Sequence, residues 1–202
     1  MDVYRAAAVL NRQEPPPYEP CPIREDGALR SLDLHRNLAY DKLTIERHYL
    51  ALPGDVAIFR LPFIYGGIDT RRVEDYAERL ARREKIVLHP TFAAWKVSRA
   101  LHRNCAYALA LALGRPGHLI YNVAEAVPQT ETEWIEQMAR ALHIDAKITL
   151  DPAAAVPMGA DFKQPWWVAT DKIRSELDYT EKHDPFAGLK DNLARYLASV
   201  PS

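Results

Sequence analysis

The sequence contains no G-x-G. It has eight glycines in 202 residues, and the adjacent pair Gly66-Gly67 has no third glycine at the needed offset. That excludes a recognisable phosphate cradle of the kind that opens a doubly wound dinucleotide domain, where glycines let the backbone approach a pyrophosphate. Cysteine is scarce: Cys21 and Cys105 stand alone, with no C-x-x-C. The seven histidines form neither H-E-x-x-H nor H-x-x-x-H. A zinc site needs about four clustered ligands, so no metal is expected. Cys105 lies in an Ala/Leu-rich stretch and reads as a small buried hydrophobe. No apolar run approaches the length of a bilayer span, so no membrane partner is expected. The start does not read as a leader: Asp2 follows Met1, and the first apolar stretch ends at Leu10. Excess charge is absent too. The formal net charge is -1, with no basic stripe, which argues against a general nucleic-acid binder. These absences predict a soluble, cytoplasmic protein.

Apolar residues make up 48% of the chain and charged residues 26%, enough to bury a core. The length suits one domain, or one and a half. Residues 1–10 are apolar enough to be ordered. Pro15, Pro16, Pro17, Pro20 and Pro22 make residues 11–30 an irregular surface segment. A helix is predicted from about Asn37 to Leu52, with Leu38, Ile45, Tyr49 and Leu52 on one face. Pro53-Gly54 ends it. Val56-Ala57-Ile58-Phe59 reads as a strand buried on both faces, as in a parallel sheet. Residues 70–84 form an amphipathic helix with Val73, Tyr76, Ala77, Leu80 and Ala81 inward. Strands are predicted at 86–88, 95–101, 118–123 and 147–150, and helices at 103–113, 171–177 and 185–197. Thr130 and Glu133 make a capping box for another helix, which turns Trp134, Met138 and Leu142 inward. The alternation means α/β.

Lys42 is the most informative single residue. It falls four after Leu38 and three before Ile45, on the otherwise apolar face of its predicted helix. Burying an ammonium costs free energy unless something pairs it. The alternatives are a snorkelling lysine at the edge of the face, or a pair with Glu46 at i+4.

The run Tyr40-Asp41-Lys42-Leu43-Thr44-Ile45-Glu46-Arg47 resembles the active-site helix of the NAD-dependent epimerase/dehydratase family, the extended short-chain dehydrogenase/reductases. Arg60-Leu61-Pro62-Phe63-Ile64-Tyr65-Gly66-Gly67 is similar to that family's strand and R-x-x-x-x-Y-G-P turn. Trp95 to Arg99, an Ala-rich helix, Ile120-Tyr121-Asn122-Val123 and a helix from Thr130 follow in the family's order. Asp171 to Tyr179 resembles its closing D-x-x-[KR]-x-x-x-x-L-G-Y segment. Asp2-Val3-Tyr4 looks like the stretch after the strand that carries the family's catalytic Ser or Thr. The resemblance covers nearly the whole chain.

It implies a partial Rossmann-like doubly wound sheet made of the late strands, plus a small C-terminal substrate-side lobe. Residues 1–36 would be a Pro-rich lead-in, 37–124 the late strands and active-site helix, and 125–202 the lobe, interleaved as one globular unit. It implies NAD or NADP as cofactor and a sugar nucleotide or similar polar small molecule as substrate. The Gly-rich half would be missing, so the chain is expected to be a truncated form that binds the cofactor poorly alone. A homodimer through the active-site helix is the family expectation.

In the family a Tyr acts as acid/base, and a Lys four residues later lowers its pKa and holds the nicotinamide ribose. Lys42 carries over. Leu38, not Tyr, stands four before it. Tyr40 is the other candidate, although on a regular helix it would sit about 200° from Lys42; packing or exposure is its alternative. By position Pro62 contacts the cofactor, or simply ends its strand. Phe63 sits between cofactor and substrate, and Tyr65 lines the substrate side or packs. Arg99 matches a phosphate-binding arginine, or is solvated at a strand end. The competing functions are a non-catalytic binding or regulatory relative, and an interaction protein whose sheet edge pairs with a chain supplying the nucleotide half.

Overall fold

The computed structural model describes residues 1–31, 41–68 and 70–200. It shows a mixed α/β architecture assembled from two-stranded pairs. Strand β1 (Val56–Arg60) pairs in parallel with a later strand, His118–Asn122, Ile58 standing opposite Ile120. Gly54, at φ 101°, turns the chain into β1, and the Asp55 carboxylate accepts from Gly117 N at 2.6 Å. That bond ties the starts of both strands together. Strand β2 (Phe63–Tyr65) pairs in parallel with Arg99–Leu101. Strand β3 (Lys85–Leu88) pairs in parallel with Lys147–Leu150. Strand β4 (Lys96–Val97) pairs antiparallel with Gln129–Thr130. In chain order the four partners are β5 (Arg99–Leu101), β6 (His118–Asn122), β7 (Gln129–Thr130) and β8 (Lys147–Leu150).

The helices are α1 (Arg5–Leu10), α2 (Lys42–Leu50), α3 (Glu74–Ala81), α4 (Pro90–Ala93), α5 (His102–Leu111), α6 (Glu131–Ala141), α7 (Asp171–Leu177) and α8 (Pro185–Ser199). None is long and apolar enough to cross a membrane. The capping box of α6 is formed in both directions: Thr130 Oγ1 accepts from Glu133 N, and the Glu133 carboxylate accepts from Thr130 N at 2.7 Å. Trp134 and Met138 are buried one helical turn apart, with Ile135 beside them on the same face. Val73, Tyr76, Ala77 and Leu80 are buried as predicted, while Ala81 is exposed. One large core runs from Leu10 through Tyr65, Trp95 and Trp134 to Leu193, joining early and late parts of the chain.

Four expectations change. Residues 5–10, inside the expected lead-in, form a buried helix; Ala6, Ala7 and Ala8 are wholly inaccessible. The predicted 95–101 strand is broken at Ser98, whose hydroxyl accepts from Val168 N at 3.1 Å. The break lets β4 and β5 take different partners. Strand β1 is not buried on both faces: Ala57 is exposed, and among the described residues β1 has a neighbour on one edge only. Helix α2 turns the other way. Ile45, Tyr49 and Leu52 are 39%, 49% and 38% exposed, whereas Leu43 and Glu46 are buried. The reason is electrostatic, since Glu46 is drawn inward by a buried arginine.

Candidate functional site

That arginine is Arg60, the last residue of β1, only 4% exposed. Its Nε donates to Glu46 Oε2 at 3.1 Å, and Nη2 donates to Glu46 Oε1, a bidentate pair between strand and helix. Its Nη1 donates to Tyr4 Oη at 2.8 Å and to Glu25 O at 2.7 Å. Tyr4 Oη passes the chain on, donating to Asn122 Oδ1 at 2.6 Å. Asn122, the last residue of β6, donates from Nδ2 to Ile23 O and from its backbone to Glu25 Oε1. The network therefore closes the carboxyl ends of β1 and β6 with residues 4 and 23–25. Burial pushes the Tyr4 phenol up to about 12, against the pull of Arg60, so this hydroxyl stays protonated as a donor.

Helix α2 begins beside this network, and its start is fixed by several bonds. Asp41, in extended conformation, accepts from Leu43 N at 3.1 Å and from Thr44 Oγ1 at 2.8 Å. The buried Arg30 pairs with the same carboxylate. Lys42 is thus the first helical residue. Its side chain is 50% exposed, and Nζ lies 2.9 Å from Asp2 Oδ2. The expected burial of Lys42 on an apolar face does not occur, because the apolar face itself is exposed; nor is its acid partner here Glu46. Tyr40 lies outside the described residues.

The N-terminal segment brings Lys42 and Pro62 into one neighbourhood. Asp2 holds Lys42, and the adjacent Met1 amine donates to Leu61 O at 2.9 Å. Pro62 is half-buried in the link between β1 and β2. The other candidates lie elsewhere. Phe63 packs edge-on against Trp166 and Trp95, with Arg72 over its ring at 4.2 Å. Tyr65 is buried edge-on against Trp134, and its hydroxyl donates to Glu125 Oε1 at 2.7 Å. Arg99 is 5% exposed, pairs with Glu131 at 2.5 Å and lies over Trp134 at 4.7 Å. Its guanidinium faces a carboxylate inside the core, not solvent. Burial pushes the Glu125 carboxyl up to about 7, with the Tyr65 hydrogen bond opposing.

Sequence reasoning singled out Lys42 but missed Arg60, Tyr4 and Asn122 as a unit. A signal existed: an arginine directly after four apolar strand residues, and Asn122 at the same place in its partner strand. Neither has meaning until the register aligns them.

No family model matches the chain, and no curated protein matches it. Solved structures do. A UDP-glucose 4-epimerase from Thermotoga maritima, determined with UDP-glucose, superposes with a TM-score of 0.65 at 12% identity over 95% of this chain and 61% of its own. A dTDP-glucose 4,6-dehydratase from Bacillus anthracis, determined with NAD, gives 0.62 at 18% identity over 87% and 55%. RMD from Pseudomonas aeruginosa, complexed with NADPH, gives 0.61 at 17% identity over 79% and 54%. At identities this low the superpositions show a shared, partial Rossmann-like α/β fold and nothing beyond it. The chain spans 54–61% of the length of these three structures.

Proposed function

We propose that the chain carries the substrate-side part of an NAD(P)-dependent epimerase/dehydratase-type oxidoreductase acting on a sugar nucleotide or a similar polar small molecule. The observation that supports this most is the placement of Lys42. It opens the helix that is clamped through Glu46 to Arg60, at the carboxyl end of a parallel strand, where ligands of open α/β sheets bind. Half of the Lys42 side chain is exposed, so its ammonium is within reach of a ligand's ribose hydroxyl. Beside a phenol such as that of Tyr40, the same charge favours the phenolate and suits it to acid/base work.

The residues fit one end of a dinucleotide only. Lys42 and Pro62 would hold the nicotinamide side, while the sequence offers no G-x-G for the pyrophosphate. Hydride acceptance and return is the chemistry such a cofactor supplies when bound. In this reading Phe63, Tyr65 and Arg99 build the wall behind the substrate: Arg99 and Tyr65 both brace Trp134, and Phe63 braces Trp166.

The test is a fluorescence titration of NADH and NADPH, with and without UDP-glucose as the sugar-nucleotide probe, on the intact chain and on Lys42→Ala. Saturable dinucleotide binding that Lys42→Ala weakens by about tenfold supports the reading. Binding that ignores the substitution sinks it. A second reading, a non-catalytic chain completed by a partner that supplies the nucleotide half, draws on the open edge of β1 among the described residues. It predicts no dinucleotide binding by the chain alone, and rapid amide exchange along Val56–Arg60 that slows when the partner docks.

A further inference from the structure

A second carboxyl-end crevice lies outside the Arg60 network. Strands β2 and β5 also run in parallel, and both end at a cavity of about 290 Å³. After β2 the chain turns through Gly66 and Gly67, at φ 96° and 67°. After β5 it enters α5 directly at His102, with no side-chain cap on the first turn. The third wall is the loop before α8 and that helix's first three turns. Gly188 allows α8 to come this close: a Cβ there would lie 2.5 Å from the Leu101 side chain. The Gly66-Gly67 turn lies flat against the His102 ring, since a Cβ on Gly66 would stand 2.7 Å from Nδ1.

Cations outnumber carboxylates at this crevice by three to two. Arg103, Lys182 and Arg195 line it, with His102 and His183 between them, against Asp184 and Asp191. Among the described residues neither Arg103 nor Arg195 forms an ion pair. Lys182 lies over the Tyr107 ring at 5.0 Å, which leaves its charge unneutralised. Asp184 is already committed, accepting from Phe186 N at 3.0 Å as the cap of α8. The loop carrying Lys182 and His183 is fixed from below. Asn104 donates to His183 O at 2.8 Å and accepts from His183 N at 2.9 Å. The cations are thus mounted on two helices and a pinned loop, around a cavity large enough for a diphosphate. The first turns of α5 and α8 both line the cavity.

We propose that this crevice, at the carboxyl ends of β2 and β5, binds a phosphate-bearing anion through Arg103, Lys182 and Arg195. It is separate from the Lys42 neighbourhood, and the proposal stands whether or not the dinucleotide reading does.

The test is calorimetric titration of the intact chain with inorganic pyrophosphate and, in a second arm, with uridine diphosphate. Saturable binding of pyrophosphate is expected. Arg103→Ala and Arg195→Ala each weaken it by about tenfold or more, since each removes charge-assisted hydrogen bonds. Asp191→Asn tightens it by removing a facing negative charge. Both arginines are exposed, so these variants fold. Lys147→Ala, an exposed cation on β8, leaves binding unchanged. Equal affinity for both probes assigns recognition to the phosphates alone. Tighter uridine diphosphate binding adds a seat for the nucleoside, and supports the site equally. Absence of saturable binding by both probes, or binding that survives both arginine substitutions, overturns the proposal.

Discussion

Replacing Glu46 by Ala tests the central bond of the fold. Arg60 donates four hydrogen bonds, two of them to Glu46, and both side chains are more than nine-tenths buried. Removing one partner of such a pair leaves a buried, uncompensated charge, at a cost of about 3–5 kcal/mol. The whole stability of a domain is about 5–15 kcal/mol. With a urea slope of about 2 kcal/mol/M, a loss of about 4 kcal/mol moves the unfolding midpoint down by about 2 M. Glu46→Gln keeps the shape and one acceptor, so it falls between the two.

The double variant Glu46→Leu with Arg60→Met isolates the pair term. Both charges are then gone, and buried pairs replaced by apolar residues of similar volume are often neutral. One cost persists: Glu25 O loses its donor, for about 1–3 kcal/mol. Tyr4 still donates to Asn122. The double variant is therefore more stable than Glu46→Ala alone, with a coupling of about 2 kcal/mol or more. Urea unfolding followed by tryptophan fluorescence reads all four proteins. If Glu46→Ala costs less than about 1 kcal/mol, the pair behaves like an exposed one and the reasoning fails.

Other outcomes follow from single features. The Glu125 carboxyl has a folded-state pKa of about 7 against an ordinary 4.5, so the folded chain holds that proton more tightly. Its contribution to stability is fully present below about pH 4.5 and is lost as pH rises through about 7. Glu125→Gln flattens that window and stabilises the protein at about pH 8, as urea titrations at several pH values show; an unchanged slope refutes it. Thr130→Ala removes the α6 capping box and costs about 1 kcal/mol, a melting shift of about 2–4 °C by calorimetry. Gly66→Ala meets both a positive φ and the His102 ring, and costs about 2–4 kcal/mol. Adding His102→Ala to Gly66→Ala recovers the steric part and leaves the backbone part; no recovery means that the ring is not what the methyl meets.

What the sequence made legible depends on how local the deciding interaction is. Helix α6 was readable because its cap and its inward residues all lie between Thr130 and Leu142. The same holds for α7, which spans the predicted 171–177 and ends where Asp178 takes a left-handed conformation at φ 52°. Helix α1 was not readable: three consecutive alanines have no polar contrast, and their burial is imposed by the core they meet. Helix α2 was misread because an apolar period cannot register that a glutamate belongs inside. Glu46 goes in because Arg60, fourteen positions later, is already there. For the candidate site, Lys42 was visible by its spacing to Leu38 and Ile45, and its pairing with Asp2 was not. Arg99 was visible as a strand-end cation, but its partner Glu131 is thirty-two positions on.

The two carboxyl-end regions differ in how their polar groups are satisfied, and this decides where an added ligand goes first. At β1 and β6, Arg60, Tyr4, Asn122 and the Glu25 and Ile23 carbonyls already satisfy one another. A ligand displacing any of them must replace a buried hydrogen bond with an equal one, so only the rim, at Lys42, is cheap to engage. At β2 and β5 the cations Arg103 and Arg195 stand in solvent with no ion pair among the described residues, around space that is already open. An anion entering there gives up its hydration for preorganised charge and displaces no protein group. The isolated chain should therefore show phosphate binding sensitive to Arg195 at lower ligand concentration than any dinucleotide binding sensitive to Lys42. The reverse order would mean that the Lys42 rim is more accessible, or the β2–β5 crevice more heavily neutralised by Asp184 and Asp191, than their geometry indicates.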